Sequence, residues 1–176
     1  MIHTIYYDSP VGEILLAERD GALIGLWLEG QKNGLESLTH VITGQKVPML
    51  VLAKAWLDRY FAKEKPLISE LKLSPAGGAF RQTVWELLCE IPYGEVTTYG
   101  EIARIVAIRT GKAQMSAQAI GGAVGHNPIS IIIPCHRVVG AKGKLTGYDG
   151  GIDKKVKLLT HEGVDMTSYG VKLCKC

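Results

Sequence analysis

The chain has little of what would place it in a membrane, in an oxidising compartment or among fibrous proteins. Its longest apolar run, around Ile131-Ile132-Ile133, falls far short of the roughly 20 residues that a bilayer-spanning helix needs. The N-terminus lacks the basic residues followed by an apolar stretch that mark a secretory signal, so a cytoplasmic location is expected. Cysteine is scarce, with only Cys89, Cys135, Cys174 and Cys176 in 176 residues. A chain of this length can bury a core without covalent staples, so free thiols are expected. Charge of one sign is also weak. A net charge of +3 permits a nucleic-acid partner through a local basic surface but does not require one. Internal repeats and low-complexity tracts are missing. An apolar share of 47% against 21% charged residues excludes disorder and leaves a soluble globular protein.

The first third alternates short strand-like segments with turn signals. His3 to Tyr7, Gly12 to Ala17 and Ala22 to Leu28 predict an antiparallel meander, with Arg19-Asp20-Gly21 as a hairpin turn. Leu50, Ala53, Trp56, Leu57, Tyr60 and Phe61 then recur at helical spacing and stop before Pro66, which predicts an amphipathic helix on that sheet. From Lys63 to Gly78 the composition turns to Pro, Ser, Gly and charge with no period, as in an inter-domain connection. The expected organisation is an α/β domain with its linker over residues 1–77, a mainly α domain over 78–166 and a tail over 167–176. In the second domain Phe80, Val84, Leu87, Leu88 and Ile91 mark a helical face that Pro92-Tyr93-Gly94 ends. Thr98-Tyr99-Gly100-Glu101 has the form of a capping box and opens a helix to about Ala107. Ser116 is an expected N-cap for a further helix through Ala117, Ala119, Ile120, Ala123 and Val124. Two short helices about a Gly-containing turn suggest a helix-turn-helix, with a longer turn than usual.

The strongest chemical signal is Ile131-Ile132-Ile133-Pro134-Cys135-His136-Arg137-Val138-Val139. It delivers a thiol beside an imidazole and a guanidinium. Cysteine attacks as thiolate, and a nearby cation or general base promotes that form. On these residues alone Cys135 is either an activated nucleophile or a small buried hydrophobe, as free cysteines often are. Tyr99 reads equally as a surface aromatic. The small residues from Ala117 to Ala123 read equally as tight helix packing, and His161-Glu162-Gly163 as a solvated helix end.

The segment Pro134 to Gly140 resembles the acceptor-cysteine motif of the alkylguanine-DNA alkyltransferases, also called methylated-DNA-protein-cysteine methyltransferases. Further landmarks stand around it in order: Ile91 to Val96, Tyr99-Gly100, Gly121-Gly122-Ala123, Asn127-Pro128, Gly147-Tyr148 and His161-Glu162-Gly163. The likeness is close over about residues 78–163. Before that it extends only to the strand pattern of a ribonuclease-H-like domain. The resemblance implies single-turnover DNA repair, in which an alkyl group passes irreversibly from the alkylated oxygen of guanine, or of thymine, to Cys135. It implies a relay in which His136 deprotonates Cys135 through a water and Glu162 orients the imidazole. It also implies that Asn127 braces the turn under the cysteine and that Tyr99 helps rotate the nucleotide out and protonates the leaving guanine. The Val138 backbone and the segment around Tyr148 would line the base pocket. Arg137 is counted with the substrate and DNA contacts. Double-stranded DNA would be entered from the minor groove by the second helix, where Ala117, Gly121 and Gly122 allow close approach. A monomer with no cofactor and no membrane contact is implied.

Two positions depart from the family pattern. Gln118 stands where an arginine usually fills the space left by the flipped base; its amide still offers a donor and an acceptor. Asp149 stands where some relatives place a hydroxyl near the alkylated oxygen. An ionised carboxylate would repel that oxygen, so Asp149 is expected to point outward or to change the range of alkyl groups accepted. Some relatives hold zinc through N-terminal cysteines, but the first cysteine here is Cys89, so no metal is expected. The Cys174 and Cys176 pair is a weak metal signal. Two rival functions remain: a lesion-sensing DNA-binding protein without chemistry, whose relatives replace the acceptor cysteine, and a cysteine hydrolase, for which an adjacent Cys-His pair is a poor match.

Overall fold

The computed structural model describes residues 1–31 and 38–169; the tail pair Cys174 and Cys176 lies outside the described residues. Three strands open the chain, β1 (Ile2–Ser9), β2 (Gly12–Arg19) and β3 (Ala22–Leu28), paired antiparallel in turn. Asp20 and Gly21 both take positive φ, 53° and 75°, in the two-residue turn whose twist suits the flanking strands. The sheet is not wholly antiparallel as expected. A short β4 (Val41–Thr43) adds to the other edge of β1 in parallel, giving the order β3-β2-β1-β4. Three residues are too few for alternation to show in a sequence.

Helix α1 (Pro48–Phe61) packs on this sheet through Leu50, Ala53, Trp56, Leu57 and Tyr60, the stripe that the helical spacing predicts. Pro48 sits in its first turn, where the absent N–H leaves no bond unmade. The composition of residues 63–78 predicts a loose connection, yet this segment is docked. Leu23 donates its N–H to the Lys72 carbonyl and accepts from the Ser74 N–H, both at 2.8 Å. Further along the same edge of β3, Leu26 donates to the Pro128 carbonyl at 2.8 Å and accepts from the Ser130 N–H at 3.0 Å. An edge strand that would otherwise expose unpaired amides thus becomes the seam between the two halves. One apolar cluster runs across it, from Leu16 and Leu57 to Trp85, Ile132 and Leu158.

The second half is helical, with α2 (Ala79–Cys89), α3 (Tyr99–Arg109), α4 (Ala117–Gly125) and α5 (Ile152–His161). Two short strands, β5 (Thr97–Thr98) and β6 (Val138–Val139), pair in parallel. The helices α3 and α4 form the helix-turn-helix, and Trp85 of α2 ties into it by donating from Nε1 to the Ala123 carbonyl at 2.9 Å. Thr98 caps α3 by accepting from the Glu101 N–H. The reciprocal half of the expected capping box does not form, because Arg104, within reach one turn on, takes the Glu101 carboxylate instead. Among the described residues no helix is long and apolar enough to cross a membrane.

Ser116 caps α4 by accepting from the N–H groups of Gln118 and Ala119, at 3.1 and 3.4 Å. This helix holds Gly121, Gly122 and Gly125, each a poor helix former, so it leans on its cap. Ser116→Ala is expected to cost about 1 kcal/mol in urea unfolding. An unchanged midpoint would mean that packing against α2 and α3 alone holds α4.

Candidate active site

The thiol is delivered by a turn that the backbone adopts under restraint. Ile131, a β-branched residue, has φ of 68°, a conformation that persists only where surrounding contacts enforce it. Asn127 supplies that enforcement from within the turn. Its Oδ1 accepts from the Ile129 N–H at 3.0 Å, and its Nδ2 donates to the Ile133 carbonyl at 2.8 Å. Ile131, Ile132 and Ile133 are buried beneath it. Cys135 then opens a single 3-10 turn, Cys135–Arg137. The thiol is nearly buried yet borders a cavity of about 940 Å³, lined also by Tyr99, Gln118, Gly121, Tyr148 and Asp149.

Behind the cysteine lies a buried charge cluster centred on Glu162. Its Oε1 accepts from His136 Nε2 at 2.7 Å, Tyr60 Oη at 2.7 Å and Arg137 Nη2 at 3.0 Å. Its Oε2 accepts from Arg137 Nε at 2.8 Å and the Gly94 N–H at 3.2 Å. Burial alone would favour the neutral acid, but His136 and Arg137 outweigh it and hold the carboxyl well below the usual carboxylate range. For His136 burial dominates and lowers its proton affinity despite Glu162. Burial therefore favours the neutral imidazole. With Nε2 donating to Glu162, Nδ1 carries the lone pair, and that buried atom has no protein hydrogen-bond partner among the described residues. A base with its tautomer fixed and its basic nitrogen unclaimed thus stands next to the thiol in sequence.

The thiol itself is pushed up by burial, against which Asn127, Lys155 and Tyr148 act. Lys155 is fully buried and donates from Nζ to the Val138 carbonyl at 2.5 Å and the Thr146 carbonyl at 3.4 Å. Burial pulls it down to about 8, opposed by Cys135. The Tyr148 hydroxyl is enclosed beside Cys135 and Ser130 without closing a well-formed bond to either. Tyr99 donates to the Thr146 carbonyl at 3.3 Å, and burial and the nearby Cys135 raise its phenol.

The structure gathers Cys135, Asn127, Tyr99, Tyr148, Asp149, Ala117, Gln118, Gly121 and Gly122 around one cavity; His136, next to Cys135 in the chain, and Glu162 bond to each other in the interior. Arg137 and Val138 are placed elsewhere. The guanidinium of Arg137 is turned inward onto Glu162, the Ile91 carbonyl and the face of Tyr93, so it is unavailable to a ligand. Val138 is fully buried, its carbonyl taken by Lys155. Asp149 does not point outward: it borders the cavity and accepts from Gln31 Nε2 at 3.3 Å. Gln31 also binds the Leu28 N–H and the Ser130 hydroxyl through Oε1. The exposed face of α4 is open. A methyl group at Gly121, Gly122 or Gly125 would meet nothing within 4 Å, so tight packing inside the protein does not explain these glycines. Among the described residues no group of three His, Cys, Asp or Glu side chains could hold a metal.

Sequence reasoning missed Gln31, Tyr60 and Lys155. Tyr60 reads only as part of an apolar stripe, and its partner is 102 residues away. Lys155 did leave a trace, since it occupies the buried stripe of α5 with Leu158 and Leu159, where an unpartnered lysine would be costly.

Similarity to known proteins covers nearly the whole chain. Residues 2–75 match the ribonuclease-like domain of 6-O-methylguanine DNA methyltransferase, and residues 79–164 match its DNA binding domain. A methylated-DNA-protein-cysteine methyltransferase of Haemophilus influenzae is 37% identical over 99% of this chain and 93% of its own length. Its counterpart from Methanosarcina barkeri is 44% identical over 90% and 97%. Among solved structures, a Mycobacterium tuberculosis relative in complex with DNA superposes with a TM-score of 0.79 at 38% identity, covering 96% of this chain and 99% of that one.

Glu162→Gln would leave Arg137 without its counter-charge in the interior, and a loss on the order of 3 kcal/mol is expected in urea unfolding at pH 7. Because the folded-state carboxyl titrates below its unfolded value, its contribution is full above the ordinary carboxylate range and fades as pH falls below it. The gap between the two proteins should narrow at low pH. A gap below about 1 kcal/mol at neutral pH, or one that widens in acid, would contradict the assigned charge state.

Proposed function

The chain belongs to the 6-O-methylguanine DNA methyltransferase family, and from that premise we propose that it repairs DNA by moving one alkyl group from the oxygen of a damaged guanine onto Cys135. The observation that carries the assignment to Cys135 is the state of His136. Its Nε2 is committed to an ionised Glu162, and its Nδ1 is left with a lone pair and no protein partner among the described residues. The Cys135 proton passes to Nδ1 through a bridging water, and Glu162 stabilises the imidazolium that results. The thiolate attacks the alkyl carbon, a sulfur–carbon bond forms, and the carbon–oxygen bond breaks with its electron pair going to the guanine. Tyr99, on the cavity wall, protonates the departing base. Nothing in the site regenerates a thiol from a thioether, so each molecule acts once.

A base inside a duplex must be extruded before in-line attack is possible, at a cost of a few kcal/mol. The open glycine face of α4, beside the cavity mouth, suits close approach to the minor groove, and exposed Gln118 is the side chain that would enter the stack. The lesion-sensing alternative is disfavoured by Cys135 itself, which a purely binding protein has no reason to pair with a neutral buried base.

Duplex DNA carrying a radiolabelled methyl on guanine oxygen tests the proposal. Cys135→Ser should lose all transfer and keep its affinity for the duplex; transfer by this variant would dismiss Cys135 as the acceptor. Gln118→Arg should tighten binding to lesion-bearing duplex several-fold, by adding a charged donor set to the opened stack. Unchanged or weaker binding would assign the gap-filling role to another residue.

A further inference from the structure

One side chain of the N-terminal half reaches the reaction centre from behind. Tyr60 is on α1, 1% exposed, with its ring packed among Trp56, Phe61, Tyr93 and His161. A buried tyrosine hydroxyl needs a hydrogen-bond partner, most often backbone or water. The Tyr60 hydroxyl instead crosses to the C-terminal half and donates to the same Glu162 oxygen that accepts from His136, each at 2.7 Å. The His161 ring steadies the end of α1 by binding the Tyr60 carbonyl at 3.0 Å.

We propose that Tyr60 is a positioning residue for alkyl transfer, whose hydroxyl holds Glu162 Oε1 against His136 and limits the negative charge that oxygen presents to the imidazole. The inference rests on the transfer function proposed above and extends it to the N-terminal half. Two donors, Tyr60 and Arg137 Nη2, share the oxygen with His136. Each draws charge away from it, so removing one makes the carboxylate a stronger partner for imidazolium and a less sharply directed one. Lys155 and the Arg137 charge also disfavour a charged His136, the Tyr93 phenol lies near Glu162, and the Gly94 N–H donates to its other oxygen. None of them replaces a neutral donor at Oε1. Tyr60 is suited to this role because burial and the neighbouring carboxylate keep its phenol protonated, so it donates at every working pH.

The test uses the full chain and two readouts: titration of the His136 ring by NMR without DNA, and the pH profile of single-turnover methyl transfer. Tyr60→Phe keeps the ring and removes the donor. Its His136 titration and the acid limb of its transfer profile should both move up by about one pH unit. Fluorination of Tyr60 beside its hydroxyl strengthens the donor without unpacking the ring, and should move both readouts down. Trp56→Phe serves as the packing control; it disturbs the same cluster and loses the bond from Nε1 to the Leu67 carbonyl, and it should lower Tm with both pH readouts unmoved. The proposal is overturned if Tyr60→Phe transfers methyl with an unshifted acid limb, or if Trp56→Phe shifts it equally. Absence of transfer by the wild-type protein would instead strike the proposed function, while the NMR titration would still decide the role of Tyr60.

Discussion

A carboxylate in the apolar interior is the constraint on which the rest of the site depends. Taking Glu162 out of water costs several kcal/mol, and it remains ionised because His136, Arg137, Tyr60 and the Gly94 amide all converge on it. Each donor is fixed in return. His136 has its tautomer selected, Arg137 is anchored under Tyr93, and the turn at Gly94 is tied to the end of α5. Gly94 itself has little latitude: its φ is 80°, and a Cβ there would come within 2.9 Å of the Glu162 carbonyl oxygen. Orientation of the base next to the thiol is therefore a by-product of satisfying one buried charge.

The two halves meet as parts of a single site. The free edge of β3 pairs with Leu73 from the connector and with Ile129, six residues before Cys135 in the chain. Register errors at that edge would displace the turn that Asn127 braces. Tyr60 reaches the charge cluster and Gln31 reaches the cavity wall at Asp149, so the sheet domain supports both the base and the pocket. The acidic Asp149 is held inside the cavity lining by this contact, which makes the pocket edge of this protein differ in charge from one built with a hydroxyl.

Local elements were legible because their signals are local. The Asp20-Gly21 turn, the α1 stripe and the caps at Thr98 and Ser116 each follow from residues within a turn or two of one another. The short parallel β4 and the docking of residues 71–74 were not, since backbone pairing to a distant edge leaves no side-chain period to read. At the site, motif resemblance implies Cys135, Asn127 and Tyr99, which line one cavity, and His136 and Glu162, which bond to each other. The same motif does not say which way adjacent side chains turn, and the Arg137 guanidinium, expected at the ligand, faces inward. Tyr60 and Gln31 escaped notice because an apolar stripe and a loop amide carry no mark of partners 102 and 99 residues away.

On the proposed mechanism a neutral His136, fixed by Glu162, makes Cys135 the acceptor of one alkyl group and then leaves it spent. Mass spectrometry of the full chain after incubation with excess methylated duplex addresses this directly, followed by peptide mapping. A single added methyl per molecule is expected, on the peptide carrying Cys135, with no further gain over time. A methyl on Cys89 or another residue, or repaired DNA in excess of protein with Cys135 unmodified, would contradict it.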